Sequence, residues 1–199
     1  IKSSRELYET NVVFAWAKEA RFVRVVKGRL LPNKSAAKLL RDPVAAMHRA
    51  FEAFFGIGRA VCPPGYLDSL VPYRADEFTF ALLLALYTGQ EPLDAEERDE
   101  LVDRFIEEFL GVHRDHGVFD AADRSDVDRL LTQLDLLGAV RHDARRTALT
   151  PLGTALFVEH VRGQDAPVPT IDDMLDETAE VVVAIAADAP GIAAALLNR

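Results

Sequence analysis

Two windows of this chain share one pattern, and that pattern restricts the fold more than any other feature. The first is "EARFVRVVKGRLLPNKSAAKLL", Glu19 to Leu40, and the second is "LLGAVRHDARRTALTPLGTALF", Leu136 to Phe157. Val23-Arg24 aligns with Val140-Arg141, and Leu30 and Pro32 align with Leu149 and Pro151, with a turn two residues longer in the second window. Each window reads as helix, strand, turn, strand, helix. Apolar and polar residues change over at the strand period of two, and flanking runs change over at the helical period.

The first window predicts a hairpin in detail. Lys27-Gly28 supplies the turn, because a tight two-residue loop needs positive φ and Gly accepts it freely. That turn pairs Val26 with Arg29, Val25 with Leu30 and Arg24 with Leu31. One face is then Val23, Val25, Leu30 and Pro32, expected to point to the core. The other carries Arg24, Val26, Arg29 and Leu31, with Lys27 at the tip, expected to be basic and exposed.

Helices account for most of the remainder. Residues 4–20 read as a helix with Ser4 as its cap, and 34–40 as a short one. Asp42-Pro43 opens a helix to about Phe55 that is expected to bury Val44, Met47, Phe51, Phe54 and Phe55. Asp76 is the expected cap of a nearly all-apolar helix that Gly89 ends. Asp94 and Glu97 form a capping-box pattern before a stripe of Leu101, Val102, Phe105, Ile106 and Phe109. The stretch "GVHRDHGVFDAAD" reads as a loop leading to Ser125, and Val127, Leu130, Leu131, Leu134 and Leu137 mark a helix ending at Gly138. Thr150-Pro151 opens a helix to about Val161, and two short helices are expected in the tail.

These elements predict a mainly α protein with short β-hairpins, built of tandem winged helix-turn-helix-like modules. Residues 1–60 form a truncated basic module, 61–75 a Gly- and Pro-rich linker, 76–162 a second module and 163–199 a helical tail. The segment "LLGAVRHDARRTALTPLG" resembles the end of many bacterial winged-helix domains, where the last core helix leads into the wing. "FVRVVKGRLLPNKSAAKLLRDPVAAMHRAFEAF" and "LTPLGTALF" resemble segments of a group of uncharacterised actinobacterial proteins with winged-helix-like modules, over about two thirds of the chain. That resemblance implies the fold and a bacterial, cytoplasmic setting, and it implies no activity. The chain opens on Ile1 and stops within an apparent helix at Arg199, so it is expected to be a fragment of a longer protein.

Charge separates the modules. The net charge is -9, yet residues 1–60 sum to +7 and residues 61–199 to -16. From Lys18 to Arg41 there are eight basic residues and one acid, Glu19. Such a cluster suits phosphates or an acidic protein surface, and equally a solvated face. Arg21, Arg24, Lys27, Arg29, Lys34 and Lys38 are the candidate contacts, with DNA or an acidic protein as partner. In the second module the expected recognition helix exposes Asp126, Asp128 and Asp135 against Arg129, which disfavours phosphate, and Arg141, Arg145 and Arg146 on its wing soften this only partly.

Catalytic patterns are weak throughout. Cys62 is the one cysteine, so no internal disulfide can form, and beside Pro63-Pro64 it reads as a core or loop residue rather than a nucleophile. His113 and His116 have an HxxH spacing near Asp115 and Asp120, but the flanking Gly111 and Gly117 argue for a loop without further ligands. Asp172, Asp173, Asp176 and Glu177 suit the first turn of a helix. "GIGRAVCPPG" lacks the Gly-Lys-Ser/Thr ending and the preceding strand of a phosphate loop. The expectation is a binding protein and not an enzyme, with no cofactor and no metal. The longest apolar stretch, Phe80 to Tyr87, falls far short of the about 18 residues of a membrane span.

Overall fold

The computed structural model describes residues 4–63, 69, 71–89, 92–110, 118–143 and 145–163, with backbone alone at 4–6, 108–110 and 118–120. The expected tail helices lie outside these residues. The described chain is mainly helical with small antiparallel hairpins. Its order is α1 (Ser4–Glu19), β1 (Val23–Val26), β2 (Arg29–Pro32), α2 (Ala36–Leu39), α3 (Pro43–Phe54), α4 (Gly58–Val61) and a 3-10 turn (Val71–Arg74). There follow α5 (Ala75–Thr88), β3 (Leu93–Asp94), α6 (Ala95–Leu110), α7 (Val118–Leu136), β4 (Val140–His142), β5 (Arg146–Leu149) and α8 (Pro151–Gly163).

Helix starts follow the local chemistry where a side chain can reach the free amides. Asp42 accepts from the amides of Val44 and Ala45, both at 3.1 Å, with Pro43 at the first helical position. Asp94 accepts from the Glu97 amide at 3.0 Å while its own amide donates to the Glu97 carboxylate at 3.0 Å, a reciprocal capping box. Thr150 accepts from the Gly153 amide at 2.9 Å and donates to the Gly138 carbonyl at 2.6 Å, so it starts α8 and holds it to the end of α7.

Other starts differ from the sequence reading. α5 begins at Ala75 with Arg74 before it, and Asp76 sits in its first turn; the preceding 3-10 turn feeds straight into the helix. α7 begins at Val118, so Ser125 is an interior residue and part of the expected loop is helix. A run with no glycine between 118 and 137 has nothing to stop the helix extending towards its N-terminus.

One core cluster runs through the described chain. It links Val12 on α1, Phe51 and Phe54 on α3, Phe78, Leu82 and Leu83 on α5, Leu101, Val102, Phe105 and Ile106 on α6, Leu130, Leu131 and Leu134 on α7, and Phe157 on α8. Val61, Cys62 and Val71, within the segment read as a linker, are themselves completely buried in it. Each fully buried Leu, Val or Phe contributes about 1.5–3 kcal/mol. Val44 does not belong to this core: it is 79% exposed, and the buried residues of α3, Phe51, Ala53 and Phe54, lie in its C-terminal half.

Polar bonds tie α1 to its neighbours. The Trp16 indole donates to the Ala50 carbonyl at 2.6 Å and packs on Phe54 at 5.3 Å between ring centroids. The Tyr8 hydroxyl donates to the Val61 carbonyl at 2.7 Å.

The sheets are a two-stranded β1–β2 hairpin and a three-stranded sheet in the order β3-β5-β4. β4–β5 is the expected hairpin. β3, absent from the sequence reading, is two residues long, and Leu93 and Asp94 pair with Thr147 and Arg146. Asp94 therefore serves both as a strand residue and as the α6 cap.

Candidate functional site

The β1–β2 hairpin has the register that its turn predicts. Val23 pairs with Pro32, Arg24 with Leu31, Val25 with Leu30 and Val26 with Arg29. Lys27 and Gly28 have φ of 51° and 73°, the two successive positive values of a type I′ turn. The Phe22 amide donates to Ala17 at 2.8 Å and the Asn33 amide to Phe22 at 2.9 Å, which closes the base of the hairpin against the end of α1.

The expected burial of one hairpin face is not found. Val25 is 48% and Leu30 56% exposed, and Val26 and Leu31 on the other face are 39% and 38% exposed. Only Val23 is partly covered. The register is legible because the turn determines it, but among the described residues no element covers Val25, Val26, Leu30 or Leu31. The hairpin therefore exposes apolar side chains on both faces, with Arg24 and Arg29 on one of them and Lys27 at the tip.

The six candidate contacts are all exposed. Arg24, Lys27 and Arg29 stand on the hairpin, Lys34 just after it and Lys38 on α2. Arg21 occupies the turn between α1 and β1 with φ of 59°. Among the described residues, none of the six pairs with a carboxylate. Arg21 and Lys38 line a common groove with Arg49 of α3. Sequence reasoning missed Arg49, since it lies outside the basic run and joins the groove only because α3 folds back beside α2.

The acidic face expected on α7 is partly internal. Asp126 is only 4% exposed, and its carboxylate meets Arg129 at 2.6 Å. Burial, countered by hydrogen bonds from Ser69 and Arg129 and by the Arg129 charge, leaves its pKa raised. The expectation of an exposed Asp126 treats α7 in isolation; its backbone carbonyl in fact receives the Cys62 thiol at 3.5 Å. Asp128 and Asp135 are exposed as expected. Asp128 lies 3.7 Å from Arg98 and 3.8 Å from His142, and Asp135 accepts the His142 amide at 3.1 Å.

On the second hairpin, Arg141, Arg145 and Arg146 are exposed. The Asp143 carboxylate accepts the amides of Arg145 at 2.7 Å and Arg146 at 2.9 Å, and these bonds hold its pKa below the usual carboxylate range. Burial, and then the Arg98 charge, lower the His142 pKa. Its Nδ1 lies 2.9 Å from the Thr147 hydroxyl.

Cys62 is fully buried, and desolvation pushes its thiol far above the ordinary range. A thiol held protonated in the core is a poor nucleophile. His113, Asp115 and His116 lie outside the described residues, as does the Asp120 side chain. Among the described residues no group of three or more His, Cys, Asp or Glu could hold a metal ion. No helix among them is long and apolar enough to cross a membrane.

The fold and surface define a class, a mainly helical protein that presents a basic, partly apolar hairpin. Compared with family models, curated proteins and solved structures, the chain finds no match in any of the three.

Proposed function

We propose that this is a non-enzymatic binding protein that contacts DNA with β1–β2 as a wing. The observation that carries the reading is the exposure of Arg24, Lys27 and Arg29 on a projecting hairpin, without a carboxylate partner among the described residues. Cations free of internal partners can replace the counterions of a phosphate backbone, which supplies most sequence-independent affinity.

The order α5, β3, α6, α7, β4, β5, with β5 between β3 and β4, supports a winged-helix reading of the second part. In that reading α7 takes the position of the recognition helix. Its exposed Asp128 and Asp135 oppose phosphate, so the contact is assigned to the first hairpin. Binding rather than catalysis also agrees with the buried, protonated state of Cys62.

A second reading, an acidic protein partner without nucleic acid, draws on Val25 and Leu30. They expose 48% and 56% of their surface, and phosphates offer apolar side chains nothing.

The test is a mobility shift with duplex DNA over a salt series, using the wild type and an Arg24→Glu, Lys27→Glu, Arg29→Glu variant. The wild type is expected to bind at low salt, and the variant to bind far more weakly. Removing one cation that neutralises a phosphate flattens the log–log salt slope by about 0.9. No binding at low salt, or equal binding by the variant, overturns the DNA reading. Salt-sensitive retention of the wild type, but not the variant, on poly-glutamate would then favour the acidic partner.

A further inference from the structure

We propose that the groove between the α1–β1 turn and helices α2 and α3 is a binding site for a phosphoryl group. It has a volume of about 460 Å³ and lies at the foot of the basic hairpin. Three cations from three separate elements line it: Arg21 from the turn, Lys38 from α2 and Arg49 from α3. None has a carboxylate partner among the described residues.

The lining holds one acid, Asp42, and its Oδ1 is engaged by the amides of Val44 and Ala45. Three cations against one carboxylate leave the groove with a formal excess of two positive charges. Like charges gathered around a concave surface raise its potential and concentrate anions there. The Ser35 side chain also lines the groove and makes no capping bond to α2, so its hydroxyl adds a neutral donor. Buried Ala20 and Ala36 supply a small-residue wall that lets a ligand approach the backbone.

Arg21 is held in place by its backbone. Its φ of 59° lies in the left-handed region, which costs a non-glycine residue about 1–2 kcal/mol. The bonds from the Arg21 amide to Lys18 at 3.0 Å and from the Phe22 amide to Ala17 at 2.8 Å maintain it there. Guanidinium groups present paired N–H donors that match the oxygens of a phosphate, and an ammonium adds a point charge. The shared chemistry is therefore a tetrahedral phosphate, either free or as part of a nucleic-acid backbone that continues past the hairpin.

The site deepens the DNA reading and can be tested apart from it. The full chain is titrated by calorimetry with inorganic phosphate, at ionic strength held constant with chloride, and separately with duplex DNA. Wild type, Arg49→Gln, Arg49→Lys, Lys38→Gln and the hairpin triple variant are compared. Saturable phosphate binding, weakened about tenfold or more in Arg49→Gln and Lys38→Gln and partly kept in Arg49→Lys, is the expected result. The hairpin variant should lose DNA while keeping saturable phosphate binding, weakened less than in Arg49→Gln because its charges act on the groove only at a distance.

Loss of both ligands in Arg49→Gln assigns the site to a nucleic-acid phosphate. Loss of phosphate alone, with DNA unaffected or never bound, assigns it to a free phosphate or phosphorylated small molecule, even if the hairpin reading fails. Loss of DNA affinity alone in these groove variants also supports the site, with the backbone as its source. If neither ligand responds to Arg49→Gln or Lys38→Gln, the proposal is overturned.

Discussion

Nδ1 of His160 lies 2.8 Å from Oε1 of Glu52, joining α8 to α3 across 108 residues of sequence. The imidazole is 6% exposed and stacks on Phe55 with ring centroids 4.1 Å apart and planes 3° from parallel. Trp16 of α1 packs on the same helix α3, so the first and last described helices share one core through it. Glu52→Ala is expected to destabilise by about 1–2 kcal/mol, since it removes a bond to a largely buried ring. Urea denaturation of wild type and variant measures this. Both should unfold in a single transition, with fluorescence of Trp16 and far-UV dichroism coinciding.

Gly153 is required by the approach of α8 to the backbone of Ala139, just before β4. A Cβ placed on it would stand 1.8 Å from the Ala139 carbonyl oxygen. The neighbour is backbone, and that carbonyl is already engaged by the Thr150 amide at 3.0 Å, so it cannot step aside cheaply. Gly153→Ala should cost at least about 3 kcal/mol, read as a fall in the urea midpoint. A loss under about 1 kcal/mol would show that α8 can slide.

How far the sequence can be read depends on the range of each interaction. The hairpin register, the Asp42 cap and the Asp94–Glu97 box rest on bonds within a few residues, and all are legible. The exposure of Val25 and Leu30 is not, because period-two alternation says which residues share a face but not whether anything covers it. Asp126 is misread for the opposite reason: its partner Cys62 comes from a segment 64 residues away. Arg49 escapes notice because only the fold brings α3 beside the Arg21 turn.

The Cys62 thiol should resist modification in the folded protein. Complete burial and a strongly raised pKa leave almost no accessible thiolate. Reaction with a disulfide reagent at neutral pH should be at least about a hundredfold slower in buffer than in concentrated urea. Fast native reaction would place Cys62 at a mobile surface and reopen a catalytic role.

His142 gives the stability a pH dependence of known sign. Burial and the neighbouring Arg98 lower its folded pKa below the ordinary 6.5. The unfolded chain then binds more protons between the two values, so this contribution is fully present above about 6.5 and is lost as pH falls towards the folded pKa. His142→Gln should flatten the decline in stability between pH 7.5 and 5.5, measured by urea unfolding. Proton NMR of the ring should give a midpoint below 6.5; a midpoint above it would contradict the geometry.

Lys27 separates the conformational demands of the hairpin from its charge. With φ of 51° it holds a left-handed conformation that Asn adopts more readily than Lys. Lys27→Asn should therefore raise hairpin stability by a few tenths of a kcal/mol, up to about 1 kcal/mol. It also removes the cation at the tip. If the tip meets a polyanion, the variant binds duplex DNA more weakly and its log–log salt slope flattens by about 0.9, despite the better turn. If Lys27 serves only to turn the chain, binding stays level or improves as the hairpin firms. Thermal unfolding and the salt series, run on the same two proteins, show which role the residue has.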